Sequence, residues 1–386
     1  MTDDDGVTDD TPAASGAPSA EAPSIPLGPA PAAVPASPAP PTVPQLAIPP
    51  VSSTRALLGA SFDLLGRSSE EMRRASFYVG AVVLGTAGPL ALASWAIEVI
   101  GLDRTNQQMR RALDEGGGWV LALLGLIAAV GLTVAIVESR SMAMAVLGGQ
   151  MAGRPVTPRQ ALARSRSVFW RAIVAAIIVA IPIGIVQSAA ETLFVSMVGR
   201  PIDISIVIST LAAAIVGAPL AYVLAGVVLG DVEPFEAVRR SIRVFRARKM
   251  AAAIVAAFET TAVLLTLAGL SAGLDVALRV FSALGLGPDA GPVGLALTTV
   301  GIVATIFAAG TLLYTVYAIT VAPQVVMFVG LTHATIGLDR VRSGGSHDPD
   351  ARRPGTRRFR RFTRSMLLGF GLGLLGLLSV VNRFQA

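Results

Sequence analysis

Residues 153–171 read GRPVTPRQALARSRSVFWR, and residues 230–247 read GDVEPFEAVRRSIRVFRA. The two stretches are copies of one junction. Pro158 matches Pro234, Ala161 matches Ala237, and Leu162 matches Val238. Arg164 and Ser165 match Arg240 and Ser241, and Val168 and Phe169 match Val244 and Phe245. The match extends upstream, where Val146, Leu147 and Gly149 align with Val223, Leu224 and Gly226. Each copy follows a long apolar run and leads into another. A polar junction repeated between apolar runs marks an ordered array of similar units.

At 100° per residue, Ala161, Leu162, Ser165, Val168 and Phe169 share one narrow helical stripe. Ala237, Val238, Ser241, Val244 and Phe245 share the same stripe. Arg239, Arg240, Arg243 and Arg246 gather on the opposite side. This pattern predicts a short amphipathic helix at a membrane surface, its arginines turned to water and anionic headgroups. Arg159, Arg164 and Arg166 join them as candidate contacts to a headgroup or a protein partner. Pro158 and Pro234 stand where a helix starts, the position at which proline costs little. A weaker third copy starts at Arg55, with Ala56, Leu57, Ala60 and Leu64 on one stripe. It implies three units, each a surface helix followed by two spans.

Bulk composition agrees. The chain is 53% hydrophobic and 15% charged, with a mean hydropathy of +0.66. A soluble domain carries roughly a quarter charged residues. Several apolar runs exceed the ~18 residues that mark a spanning helix. Spans are expected near 76–100, 119–148, 171–198, 202–229, 250–272 and 291–330. A further apolar run at 366–381 reads as a seventh span or as a segment lying against the bundle. The fold class is therefore all-α, a polytopic helical membrane bundle of six core spans, or seven, in repeated units. The chain divides into a tail at 1–53, a membrane domain at 54–335, a basic linker at 336–364 and an apolar segment at 365–386.

The net charge of +6 conceals an asymmetry: residues 1–54 hold six acids and no Lys or Arg, which leaves +12 for the remainder. The connections at 149–171, 230–249 and 338–364 are rich in arginine, whereas 285–291 has none. By the positive-inside rule these basic connections are cytoplasmic, and so is the N-terminus. The same rule accounts for the charge without nucleic acid. The tail holds 13 of the 25 prolines. It starts MTDDDGVTDD, unlike the basic start of a secretory signal. Its composition predicts a disordered segment.

Ionisable groups inside the bilayer are costly and mark candidate sites. Gln187 and Glu191 lie one turn apart in span three, and Glu259 lies in the first half of span five. Together they form the candidate intramembrane polar site. Glu138 and Arg140 sit within span two, and Asp275 and Arg279 are spaced to pair near the far end of span five. Pro182, Pro219 and Pro323 are candidates for helix kinks. With no cysteine and only His333 and His347, thiolate and histidine metal sites are disfavoured. No cofactor is expected. Gly371, Gly373 and Gly376 fit GxGxxG but lack the strand and acid that a dinucleotide site requires.

The P-x-x-A-[LV]-x-R-S-x-x-V-F junctions and the order of the units resemble the membrane domain associated with glycerophosphoryl diester phosphodiesterases. That bacterial group has six-span domains, and the resemblance covers roughly 54–335. It implies the bundle but not the activity, because the chain lacks the His and acidic clusters of a metal-assisted hydrolase. The expected function is a non-enzymatic scaffold or envelope-associated accessory protein of the cell membrane. The alternative is a transporter or permease for a small or lipid-like solute.

Overall fold

The computed structural model describes residues 53–101, 118–198, 203–284, 291–336 and 341–344. Among the described residues every regular element is a helix. The order is α1 (Thr54–Arg67), α2 (Ser69–Gly101), α3 (Gly118–Met151), α4 (Pro158–Ser167), α5 (Phe169–Val198) and α6 (Asp203–Gly217). A 3-10 turn (Ala218–Leu220) follows, then α7 (Val223–Val228), α8 (Pro234–Ala247), α9 (Lys249–Ala283) and α10 (Pro292–Ile336). Six segments are long and apolar enough to cross a membrane: Ser69–Trp95, Ala122–Met151, Phe169–Val198, Ser205–Val228, Lys249–Gly273 and Val293–Thr332. The protein is a multi-pass helical bundle. The tail at 1–52, most of the basic linker and the apolar run at 366–381 lie outside the described residues.

All three units are present. α1, α4 and α8 are surface helices, and a single residue separates each from its span: Ser68, Val168 and Arg248. The break is shallow, because hydrogen bonds bridge it. The Val168 N–H donates to Arg164 O at 3.2 Å, and the Ala172 N–H donates to Val168 O at 2.8 Å. Ser68 and Arg248 are bridged in the same way. The starts are well specified. Thr157 and Gln160 form a reciprocal capping box ahead of Pro158, and the Ser53 hydroxyl accepts from the Ala56 N–H. From these starts the three helices run in register. Leu57, Ala161 and Ala237 are equivalent and buried, as are Ser61, Ser165 and Ser241. α4 has 10 residues against 14 in α1 and α8, so the second unit bends into its span one turn early.

Each surface helix packs on the end of a second span: α4 on α3, α8 on α7 and α1 on α10. The last contact joins the first unit to the third and closes the array. Small residues permit it. A Cβ on Gly226 would stand 3.0 Å from Ala237 Cβ, and one on Gly230 would stand 2.5 Å from Gly226 O. Elsewhere α2 crosses α10 at Gly80 and Gly310, and α3 meets α2 where Gly131 faces Thr86.

The core is concentrated at the end that carries the arginines, here the basic end. Met142–Leu147, Val227–Leu229 and Val325–Val329 are continuously buried there. Toward the opposite end the burial thins. On α5, Ile177, Ile181 and Ile185 are all exposed, as a lipid-facing helix requires. α10 has 45 residues, about 67 Å at 1.5 Å per residue, so it projects well past a ~30 Å hydrocarbon core.

Of the three prolines expected to kink their helices, one interrupts its helix. Pro219 ends α6 in the 3-10 turn. The Ser241 hydroxyl from α8 repairs the break: it donates to Pro219 O at 2.6 Å and accepts from the Tyr222 N–H at 3.1 Å. Pro182 and Pro323 sit inside continuous helices, as does Pro89.

Candidate functional site

Glu259 lies on the buried stripe of α9, following Ala252, Val255 and Ala256. It is ten residues past Lys249, which places it about 15 Å along the helix from the basic end. A carboxylate at that depth needs partners. Arg140 of α3 supplies a guanidinium through Nη2. Gln324 of α10 donates Nε2–H to the other carboxylate oxygen. The Arg140 guanidinium also lies 5.7 Å from the Tyr317 ring centroid, a cation–π contact. Tyr222, which donates its hydroxyl to the Met327 sulfur at 3.1 Å, packs within electrostatic reach of Glu259. The cluster therefore ties the first unit to the third.

Glu138 and Arg140 stand two residues apart on α3. The structure separates them. Glu138 is buried and accepts from Arg166 Nε of α4 at 3.2 Å, while Arg166 Nη2 donates to the Tyr78 hydroxyl of α2 at 3.3 Å. No hydrogen bond or ion pair among the described residues joins Glu191 to Glu259. Gln187 donates to the Thr210 hydroxyl of α6 at 3.1 Å, and Glu191 stays half-buried on α5 with no ion pair among the described residues. Asp275 and Arg279 both lie on the exposed surface of α9.

The seven arginines divide in two. Arg159, Arg239, Arg243 and Arg246 are exposed. Arg164, Arg166 and Arg240, expected to contact a headgroup or a protein partner, are half-buried and engage groups within the protein. Arg164 is 11% exposed and forks onto Val228 O, at 2.9 Å from Nε and 2.7 Å from Nη2. That carbonyl ends α7, where a helix leaves acceptors unpaired and carries partial negative charge. Arg240 reaches back to Glu236 at 3.3 Å, and Glu236 also holds Arg243 at 3.0 Å.

Asp231 joins this end of the molecule. It adopts a left-handed backbone, φ 51°, at the turn out of α7. Its carboxylate meets Arg164 at 3.0 Å and Arg171 at 2.8 Å. Burial pushes its pKa up, but the two guanidiniums outweigh burial and hold it below the ordinary carboxylate value. The chain after α10 crosses the same spot. The Arg342 N–H donates to Leu229 O at 2.7 Å, and Val341 and Ser343 are buried. A depressed carboxylate stabilises the fold above its unfolded pKa and loses that contribution as pH falls through the folded value. Asp231→Asn should therefore lower stability by about 1 kcal/mol at neutral pH, since the site is partly exposed and screened. The gap to the parent should shrink under acid, and thermal melts at pH 7 and pH 4 check this.

One pattern escaped the sequence reading. Gly269-Leu270-Ser271-Ala272-Gly273 spells GxSxG. In hydrolases that pattern needs a strained strand-to-helix elbow. Here it lies within the continuous helix α9, and Ser271 is exposed. Among the described residues no group of His, Cys, Asp or Glu could hold a metal ion. Fold and polar cluster together define the class, a polytopic helical membrane protein with an intramembrane ion pair. No protein-family profile, curated protein or solved structure matches the chain.

Proposed function

We propose that this protein is a non-enzymatic scaffold or envelope-associated accessory protein that docks its basic face on the anionic cytoplasmic leaflet. The observation that carries this reading is the outer surface of the basic end. Arg159, Arg239, Arg243 and Arg246 are exposed there. Trp170, Phe235 and Met250 are exposed beside them at 77%, 74% and 76%. Exposed aromatic and apolar side chains interleaved with arginines suit the headgroup boundary, where apolar parts enter the acyl region and guanidiniums meet phosphate. Arg164 and Arg166 are drawn into internal pairing, whereas the outer four keep exposed guanidiniums for a leaflet or a partner, with Arg239 and Arg243 sharing Glu236. On this reading the N-terminus is cytoplasmic. The resemblance of the junctions to the phosphodiesterase-associated membrane domain supports the scaffold without supplying a reaction.

Replacing Arg159, Arg239, Arg243 and Arg246 together with Gln tests the proposal. Each arginine near an anionic surface contributes about 1 kcal/mol, so preference for phosphatidylglycerol over phosphatidylcholine should fall by about tenfold or more. Exchange of labelled lipid into nanodiscs measures it. The matching Lys replacements should keep the preference. An unchanged preference in the Gln variant would remove the docking role.

A second reading, a transporter or permease for a small solute, draws on the Arg140–Glu259 pair, whose side chains stay partly exposed on inward helix faces.

A further inference from the structure

Arg140 and Glu259 are 29% and 18% exposed. Their surroundings show where that exposure points. Arg140 sits between Ser139, Ser141 and Met142, all buried, and Glu259 continues the buried stripe of α9. The paired atoms thus lie on helix faces that pack against other helices. On the basic side the pair is closed off by the continuous core of α3, α7 and α10. On the other side α9 has no buried position after Glu259 among the described residues, and Val263, one turn on, is only half-buried. Packing around the pair is therefore looser toward the end opposite the basic face.

Two atoms in the cluster have hydrogen-bonding capacity to spare. Arg140 Nε is a buried donor without a protein acceptor, and Gln324 Oε1 is a buried acceptor without a protein donor. Gln324 is fully buried, and its amide nitrogen is already used on Glu259. Buried polar atoms of this kind are normally satisfied by water or a ligand. Arg140 and Glu259 neutralise each other, so a charged occupant would have to break the pair. The buried capacity that remains is one donor and one acceptor, the complement of a hydroxyl group.

We infer that Arg140, Glu259 and Gln324 form the floor of a polar vestibule that opens away from the basic face and holds water or another small uncharged hydroxyl-bearing molecule. This deepens the transporter reading and is independent of the leaflet docking, which the lipid-exchange experiment tests alone.

Two measurements in nanodiscs test it, with water as the probe. The first uses the unaltered protein. Under synchrotron radiolysis, hydroxyl radicals form from water held beside a side chain. Tyr317 should be oxidised at least several-fold faster than Tyr314, which is fully buried. Equal protection of both tyrosines would overturn the vestibule. The second uses single cysteines in a chain that has none of its own. A thiol reacts as the thiolate, which needs water. Val263→Cys should react with a membrane-impermeant methanethiosulfonate added on the side opposite the basic face. Ala256→Cys, one turn below the floor, should stay protected. If Val263→Cys reacts no faster than lipid-facing Ile177→Cys, the vestibule is closed at that depth and the inference fails.

Discussion

Glu259→Ala is expected to destabilise the protein by about 3–5 kcal/mol, the cost of leaving a buried charge without its partner. The reason is geometric. Arg140 reaches Glu259 from α3, and Gln324 donates to the same carboxylate from α10. Removing the carboxylate strands a guanidinium about 15 Å inside a bilayer-spanning bundle and leaves the Gln324 amide without its acceptor. Snorkelling cannot easily relieve Arg140, because the turns flanking it are buried, and water in the vestibule replaces only part of the lost pairing. The double replacement Arg140→Met with Glu259→Met should recover most of the loss, since an apolar pair of similar volume carries no desolvation cost. Glu191→Gln should stay within about 0.5 kcal/mol, as expected for a group outside any ion pair among the described residues. Thermal melts of the purified variants in one detergent compare the three. Equal melting of Glu259→Ala and Glu191→Gln would show that the cluster is not a structural clamp.

The two glutamates illustrate what a sequence can and cannot show. Both stand in apolar runs, and hydropathy ranks them alike. Their difference is set by partners far along the chain. Arg140 and Gln324 reach Glu259 across three helices, and no local pattern encodes that meeting. The units themselves were readable because a repeated junction is a local signal. Periodicity located the stripe of Ala161 and Ala237, and the third copy proved equivalent through Leu57 and Ser61. Leu58, Phe62 and Leu65 blur the apolar stripe around Ser61, so its equivalence to Ser165 and Ser241 shows only in the fold.

The arginines fall between these cases. A helical wheel gives direction around one helix but not what stands beyond it. Arg164 and Arg240 occupy equivalent positions, yet one caps α7 and the other folds back on Glu236. Only the carbonyl end of a neighbouring helix, placed by the packing of units, makes inward use of Arg164 favourable. Pro219 teaches the same lesson. Its sequence context resembles that of Pro323, but Ser241 of the next surface helix is placed to accept the break at Pro219 alone.

Gly310→Val should cost about 3 kcal/mol, at the upper end for overpacking, because the obstacle is partly backbone. A Cβ at Gly310 would stand 2.8 Å from Gly80 Cα and 2.8 Å from Val83 Cβ. The crossing is reciprocal, since a Cβ at Gly80 would stand 2.7 Å from Thr311 Cγ2 and 3.0 Å from Phe307 O. Neither helix can yield by a rotamer change alone. Val83 is buried, and α2 is held through Thr86 against Gly131 of α3. The helices must move apart, which forfeits the close packing that holds helices together where no hydrophobic effect acts between them. Gly310→Ala should fall between the parent and Gly310→Val. Gly269→Val on α9 is the control, because nothing lies within 4 Å of its Cβ position and valine is no worse a helix former than glycine. Melting temperatures in matched detergent should order as Gly269→Val, then Gly310→Ala, then Gly310→Val, the first close to the parent. If Gly310→Val melts with Gly269→Val, α2 and α10 do not meet at these glycines. The closure of the first unit onto the third would then rest on α1, the packing of α3 against α10 and the Arg140–Glu259–Gln324 cluster.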